Sequence, residues 1–326
     1  MQNHAGPNLS PALTEHDTNK PRGFRLFLKK LRLQRSLVFM SVPFVIWVII
    51  FRYVPIWGWT MAFQDYKPYL TLWEQTWVGL YHFKFLFTDP VFYRIMRNTL
   101  AMSIINMVFG FVSAITLALL LNELRNLVFK RVVQTISYLP YFLSWVVAAS
   151  IVSNALHIDG GIVNEFLMWL KIIDKPVNWL GVGEYFWWVL GVIDVWKNVG
   201  WNTIIYLAAI TMIDPSLYEA AEMDGAGRLR KMWHITLPGM RTVIVILLIM
   251  NIGYLLESGF EAQYLLMNPL NLTHAENIDI FVLRYGINQG NYSLATAAGI
   301  FKTVVSFILL FAANNISKRL GEARLF

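Results

Sequence analysis

Asp194, Lys197, Asn198, Trp201 and Asn202 crowd into one strongly apolar stretch, and Asn251, Tyr254 and Glu257 recur at i, i+3 and i+6 in another. Such side chains are costly in hydrocarbon, so they normally face a bundle interior or a watery path. Amides, a phenol, an indole and carboxylates can all bind a polar solute there, and hydrogen bonding between helices is the competing role for each. Asp194 and Lys197 stand three apart and are expected to pair on one helix face. Asn106 and Lys302 lie in further apolar stretches, and Lys302 is expected to pair with another helix. None of these groups assembles a nucleophile and base. Cysteine is absent, which removes thiol chemistry and Cys-based metal sites. The six histidines (His4, His16, His82, His157, His234, His274) never fall at metal-ligand spacing. "GIFKT" at 299–303 lacks the Gly-Lys pair of a phosphate loop, so no nucleotide site is expected. No catalytic residue and no metal ligand is expected.

The elements that must hold these residues follow from composition. The chain has 326 residues, 56% hydrophobic and 14% charged, against about 25% charged in soluble domains. Six stretches, roughly 37–63, 98–122, 133–154, 185–212, 239–260 and 292–316, are long and apolar enough for about 30 Å of hydrocarbon. The first carries Pro43, Arg52 and Pro55, and a kink or an early end near Arg52 is expected. Cations concentrate in the N-terminal tail, the 123–131 loop, the 214–241 loop and the C-terminus, which places both termini in the cytoplasm. The net charge of +7 is thus a topology signal and not a nucleic-acid footprint. The expected organisation is a basic cytoplasmic tail (1–36) containing a short amphipathic helix from Phe24 to Arg35, which suits a lipid surface, or simply orients the first span. A six-span all-α membrane domain (37–317) and a cytoplasmic tail (318–326) follow. The opposite loops, 64–97 and 155–184, are rich in aromatics, and "DGGIVNEFLMWLK" from Asp159 reads as a Gly turn and a short amphipathic helix.

"DPSLYEAAEMDGAGRLRKMWHITLPG" (214–239) interrupts two apolar stretches. Asp214-Pro215 is a helix start, with a capping carboxylate and Pro at the first helical position. Glu219, Met223 and Ala226 are expected on one helix face, and Gly225 and Gly227 supply the stop. A short basic helix over about Leu229 to Ile235 leads to Leu237-Pro238, where the next span is expected to begin. Small residues and fixed charges suit a helix–Gly–helix elbow that fits a partner's cleft.

This segment resembles the EAA loop of binding-protein-dependent ABC importer permeases. Glu219, Ala220, Ala221, Asp224, Gly225, Ala226, Ile235, Leu237 and Pro238 match its order and spacing. "YVPIWGWTMAFQDY" (53–66), "QTISYLPYFLSWVV" (134–147), "DGGIVN" (159–164), "DVWKNVGWNTIIYLAAI" (194–210) and "FKTVVSFILLFAANNISKRLGE" (301–322) are similar to the branch that imports large sugars, including acidic, alginate-like oligosaccharides. The resemblance implies the type I ABC importer permease fold, with the elbow as coupling helix and Glu219, Ala220, Ala221, Asp224, Gly225, Ala226 and Pro238 meeting a cytoplasmic ATPase. It implies as partners a second homologous permease, two ATPase subunits that bind ATP-Mg, and an extracytoplasmic sugar-binding protein. This chain itself would hold no cofactor. Asn198, Trp201, Asn202, Asn251, Tyr254 and Glu257 would then line the sugar path, since planar polar groups and aromatic faces hold pyranose rings. Two other readings compete. An intramembrane enzyme needs a catalytic constellation that the chain lacks. An ion-coupled secondary transporter can use Asp194 and Glu257, but it has no need of an elbow.

Overall fold

The computed structural model describes residues 33–71, 73–257, 259–321 and 325. The predicted amphipathic helix at Phe24 to Arg35 and most of the N-terminal tail lie outside the described residues. The chain divides into two compact units at Gly58/Trp59. The first holds α1 (Arg35–Val48), which contains Pro43 and passes into a π-helical turn, Ile49–Tyr53, carrying Arg52. Helical backbone then continues as a 3-10 segment, Val54–Phe63. The early end expected near Arg52 does not occur, because the wider turn absorbs the irregularity without leaving helical backbone.

The second unit is nearly all helix. Among the described residues its one small sheet pairs β1 (Gln64–Asp65) with β2 (Thr76–Trp77), antiparallel. Then come α2 (Tyr81–Thr88), α3 (Pro90–Glu123), α4 (Leu127–Tyr138) with a 3-10 turn to Phe142, α5 (Trp145–Ala155), α6 (Ile162–Trp169) and α7 (Gly183–Thr211). The elbow contributes α8 (Pro215–Met223) and α9 (Arg228–Lys231), and α10 (Arg241–Gly253) follows. Three short helices, α11 (Phe260–Leu266), α12 (Leu272–Ala275) and α13 (Ile278–Phe281), lead to α14 (Tyr292–Arg319).

Among the described residues, three helical runs are long and apolar enough to span alone: Arg35–Phe63, Pro90–Glu123 and Tyr292–Arg319. Three bent pairs bring the number to six. Two of the six stretches are not continuous straight helices. The stretch at 133–154 turns by 105° between Phe142 and Trp145. Pro140 cannot extend the α4 ladder, and Ser144 starts a new helix by accepting from the Val147 N–H at 3.3 Å. The stretch at 239–260 ends its helix at Gly253 and turns through Tyr254 to Glu257. Its start also differs: Pro238 sits late in a run from Arg228 to Gly239, which bends by 60° into α10.

The longest packed pair is α3 against α7. Their seam is made of small residues, among them Ala114, Ala118 and Ala209, with Tyr206 and Ile210 filling the gaps. Lipid is as apolar as Leu, so close approach and packing hold such a seam rather than escape from water. Gly200 is required where α7 meets α4: a Cβ at that position would lie 2.1 Å from the Ser137 carbonyl oxygen. At the other end of α3, Asn98 donates to the carbonyls of Thr273 and Glu276 at 2.9 and 3.0 Å, tying α12 to the bundle. Phe92, Ile95, Phe281 and Leu294 close that end. Glu276 is buried between Arg94, at 3.1 Å, and Arg284. The predicted amphipathic α6 forms, fixed by buried Asn164, which binds Val177 and the Trp179 indole.

Candidate coupling elbow and transmembrane cavity

The elbow lies where α7 ends and α10 begins, bending by 72° from α7 into α8. Asp214 caps α8 by accepting the Ser216 N–H at 2.9 Å, and that bond holds its carboxyl below the usual carboxylate range. Pro215 occupies the first turn, where its missing N–H costs nothing. At the other end the Ala226 N–H reaches the Ala221 carbonyl at 2.9 Å, and the Gly225 N–H reaches Glu222 at 3.0 Å. This is the Schellman pattern, and Gly225 adopts the left-handed φ of 73° that it needs. Ala226 is therefore past the helix end, and the expected shared face of Glu219, Met223 and Ala226 reduces to the first two.

The elbow is held as one piece. Tyr218 donates from α8 to Thr236 at 3.0 Å, and Lys231 stands 3.6 Å from Glu222. Arg228 approaches Glu123 at the end of α3 at 3.9 Å. These exposed or half-exposed ion pairs contribute little individually, so the cap and the Tyr218–Thr236 bond carry most of the definition. What remains outward is informative. Glu219 and Asp224 carry no ion pair among the described residues, and Ala220 is exposed beside them. Met223 and Leu229 are 89% and 71% exposed, and Leu217 and Trp233 are exposed nearby. A polar loop serving only as a connection has no reason to present four large apolar side chains. Of the remaining predicted residues, Ala221 is half-buried and Pro238 exposed.

The second site is a cavity of about 260 Å³ between α3, α7 and α10. Asn202, Asn251, Tyr254 and Glu257, all predicted, line it, together with Ser103, Asn106, Gly110, Asp194 and Tyr206. Two predicted residues stand elsewhere. Asn198 is behind the wall and donates to Asp194 Oδ1 at 2.7 Å. Trp201 is stacked on Tyr141, with centroids 4.5 Å apart and planes 3° from parallel, so one of its faces is already covered. Position 201 lies on the α7 side that meets the break after α4, which the i, i+3 and i+4 spacing of Asn198, Trp201 and Asn202 did not reveal.

The expected Asp194–Lys197 pair is not formed. Lys197 turns to the broken end of the 3-10 turn and donates to the carbonyls of Leu143, Tyr141 and Pro140 at 2.7, 3.1 and 3.4 Å. Its ammonium also lies over the rings of Trp145 and Tyr141. Orphan carbonyls at a chain break inside the bilayer demand a donor more strongly than a nearby carboxylate does. Lys302 does pair as expected, with Asp279 at 2.6 Å. Ser103 was missed from sequence, although it shares the spacing Ser103, Asn106, Gly110 along one face of α3. Among the described residues no cluster of three or more His, Asp or Glu suits a metal ion.

Comparison with known proteins places this architecture. Residues 106–322 match the family described as "Binding-protein-dependent transport system inner membrane component". The chain is 46% identical over 317 residues to the polygalacturonan/rhamnogalacturonan transport system permease protein YteP of Bacillus subtilis, covering 97% of this chain and 98% of that one. It is 42% identical over 300 residues to protein LplB of the same organism, covering 92% and 94%. Among solved structures it superposes, with a TM-score of 0.83 and 38% identity, on a chain of a bacterial ABC transporter involved in the import of the acidic polysaccharide alginate, covering 90% of this chain and 99% of that one. A second structure, of a bacterial alginate transporter in complex with an alginate pentasaccharide-bound periplasmic protein, superposes with a TM-score of 0.83 at 37% identity. This chain belongs to the binding-protein-dependent transport system inner membrane components, the permease subunits of ABC importers.

Proposed function

We propose that this permease forms half of the translocation path of an importer for acidic oligosaccharides, and that its elbow receives the ATPase stroke. The elbow carries the reading. It is capped at both ends, cross-tied by Tyr218 to Thr236 in the run that leads to α10, and yet leaves Glu219, Asp224 and an apolar set uncovered. Those are the properties of a rigid joint awaiting a cleft. Its residues Glu219, Ala220, Ala221, Asp224, Gly225, Ala226 and Pro238 meet the ATPase, and the chain hydrolyses no ATP itself. A second permease completes the pore, two ATPase subunits bind ATP-Mg, and an external binding protein delivers the sugar. The elbow face lies in the cytoplasm with both termini, as the cation bias requires. Acidic cargo follows from the relatives, whose named substrates are polygalacturonan, rhamnogalacturonan and alginate. The cavity under α10 is this chain's share of the sugar path. The ion-coupled alternative is set aside, since relatives that match nearly end to end are ABC importer permeases.

The test is ATPase activity in proteoliposomes holding this chain with its partner permease and ATPase. Sugar-loaded binding protein stimulates the wild type. Glu219→Lys and Gly225→Pro assemble but lose the stimulation. Full stimulation in both variants would refute the joint. Because the chain has no cysteine, a single Cys at position 219 also gives a clean topology label, reactive only from the cytoplasmic side.

A further inference from the structure

We infer that the cavity between α3, α7 and α10 reads the hydroxyl groups of a sugar ring and turns any carboxylate of that ring away; this rests on the cavity being part of the sugar path. Two of its polar atoms are buried and have no hydrogen-bond partner: Asn106 Oδ1 and Ser103 Oγ. Asp194 adds a carboxylate held by a single donor, Asn198 at 2.7 Å. Glu257 adds a second. No Lys, Arg or His stands among the described lining residues. The two lysines of the neighbouring span segments are committed elsewhere, Lys197 to backbone carbonyls and Lys302 to Asp279. The wall thus presents two carboxylates and unpaired acceptors, with no cation among its own lining residues.

An acceptor-rich wall binds donors. In an oligosaccharide the donors are hydroxyls, and a carboxylate can accept from two neighbouring hydroxyls at once. A uronate carboxylate facing this wall would meet like charge in a low dielectric, which is costly. The ring therefore presents its hydroxyl edge to this subunit, and its carboxylate must be met by groups outside this cavity. Asn106 Oδ1 and Ser103 Oγ stay unpaired within the fold although leaving a buried acceptor unpaired is costly. A ligand that donates to them would satisfy both.

The signs of the outcomes separate this reading from a passive wall. Uptake of a radiolabelled uronic-acid pentasaccharide, delivered by the binding protein, would be measured in proteoliposomes of the complete importer. If the wall reads hydroxyls, Asp194→Asn lowers uptake by about tenfold, the loss of one charged hydrogen bond. If the carboxylate merely repels an acidic cargo, the same change raises uptake, and the inference is overturned. Asn106→Leu and Ser103→Ala remove atoms that bond to nothing in the fold, so each lowers uptake while the thermal midpoint holds or rises. Unchanged uptake in both also overturns the inference. The path reading is tested apart from it by a bulky maleimide on a single Cys at position 251. If the label leaves uptake intact, the cavity is not the path. If the label blocks and the Asp194 and Asn106 variants transport normally, only the hydroxyl reading fails.

Discussion

Replacing Lys197 by Met removes the donor that closes the break between α4 and α5. The carbonyls of Leu143 and Tyr141 lose their partner at once, at 2.7 and 3.1 Å, while that of Pro140 loses a longer bond of 3.4 Å and keeps the Leu143 N–H. Leaving a buried acceptor unpaired costs about 1–3 kcal/mol, while bonds between helices in a membrane average nearer 0.6 kcal/mol. The loss of cation–π contact with Trp145 and Tyr141 adds about 1 kcal/mol. Against these stands the relief of no longer burying an ammonium. The two short bonds and the ring contacts win, giving a net loss of roughly 2 kcal/mol. The assay is thermal unfolding of the purified complex in nanodiscs, where the midpoint falls by roughly 5 °C. Asp194→Asn, which keeps an oxygen for Asn198 to bind, shifts it far less. Equal losses in the two variants would refute the reasoning and restore the ion pair that sequence spacing suggested. A Lys197→Met midpoint at or above wild type would show that charge burial outweighs the capping.

Other consequences follow from the same geometry. Gly225→Ala has open space for its Cβ but must hold φ near 73°, so it costs about 1 kcal/mol in local stability and partly uncouples ATP hydrolysis from sugar; hydrogen exchange over 221–227 reads the first effect and stimulated ATPase the second. Glu276→Gln leaves Arg94 and Arg284 without their shared carboxylate, and the thermal midpoint falls by the equivalent of roughly 2 kcal/mol. Gly200→Ala drives a methyl into the Ser137 carbonyl, and overpacking costs about 1–3 kcal/mol, visible as loss of assembled complex. The Asp214 carboxyl is depressed by its bond to the Ser216 N–H. Its stabilising contribution is therefore present above the ordinary carboxylate range and is lost as pH falls through the depressed value. Protection of the Ser216 and Leu217 amides, taken relative to their intrinsic exchange rates, should fall in that acid window and hold at higher pH; Asp214→Asn, which still caps, removes that dependence.

Much of the site was legible without coordinates because its signals are local. The cap at Asp214, the proline after it and the left-handed glycine at 225 depend on backbone chemistry within a turn, so the elbow could be drawn from residue order. The spans followed from composition, since bilayer thickness fixes the length of apolar chain required. Polar residues inside those spans announced an interior path, and Asn202, Asn251, Tyr254 and Glu257 do share one cavity. The rest was settled between elements distant in sequence. Asp194 and Lys197 have the spacing of a pair, yet the lysine went to carbonyls more than fifty residues away, because a helix broken inside hydrocarbon needs a donor there. Trp201 was turned from the cavity by Tyr141, and α10 stopped at Gly253 where periodicity alone would have carried it on. Sequence determined which residues are too polar or too free in backbone to be ordinary membrane helix; tertiary packing decided which unpaired group each of them would satisfy, since that choice depends on what chain topology brings within 3 Å.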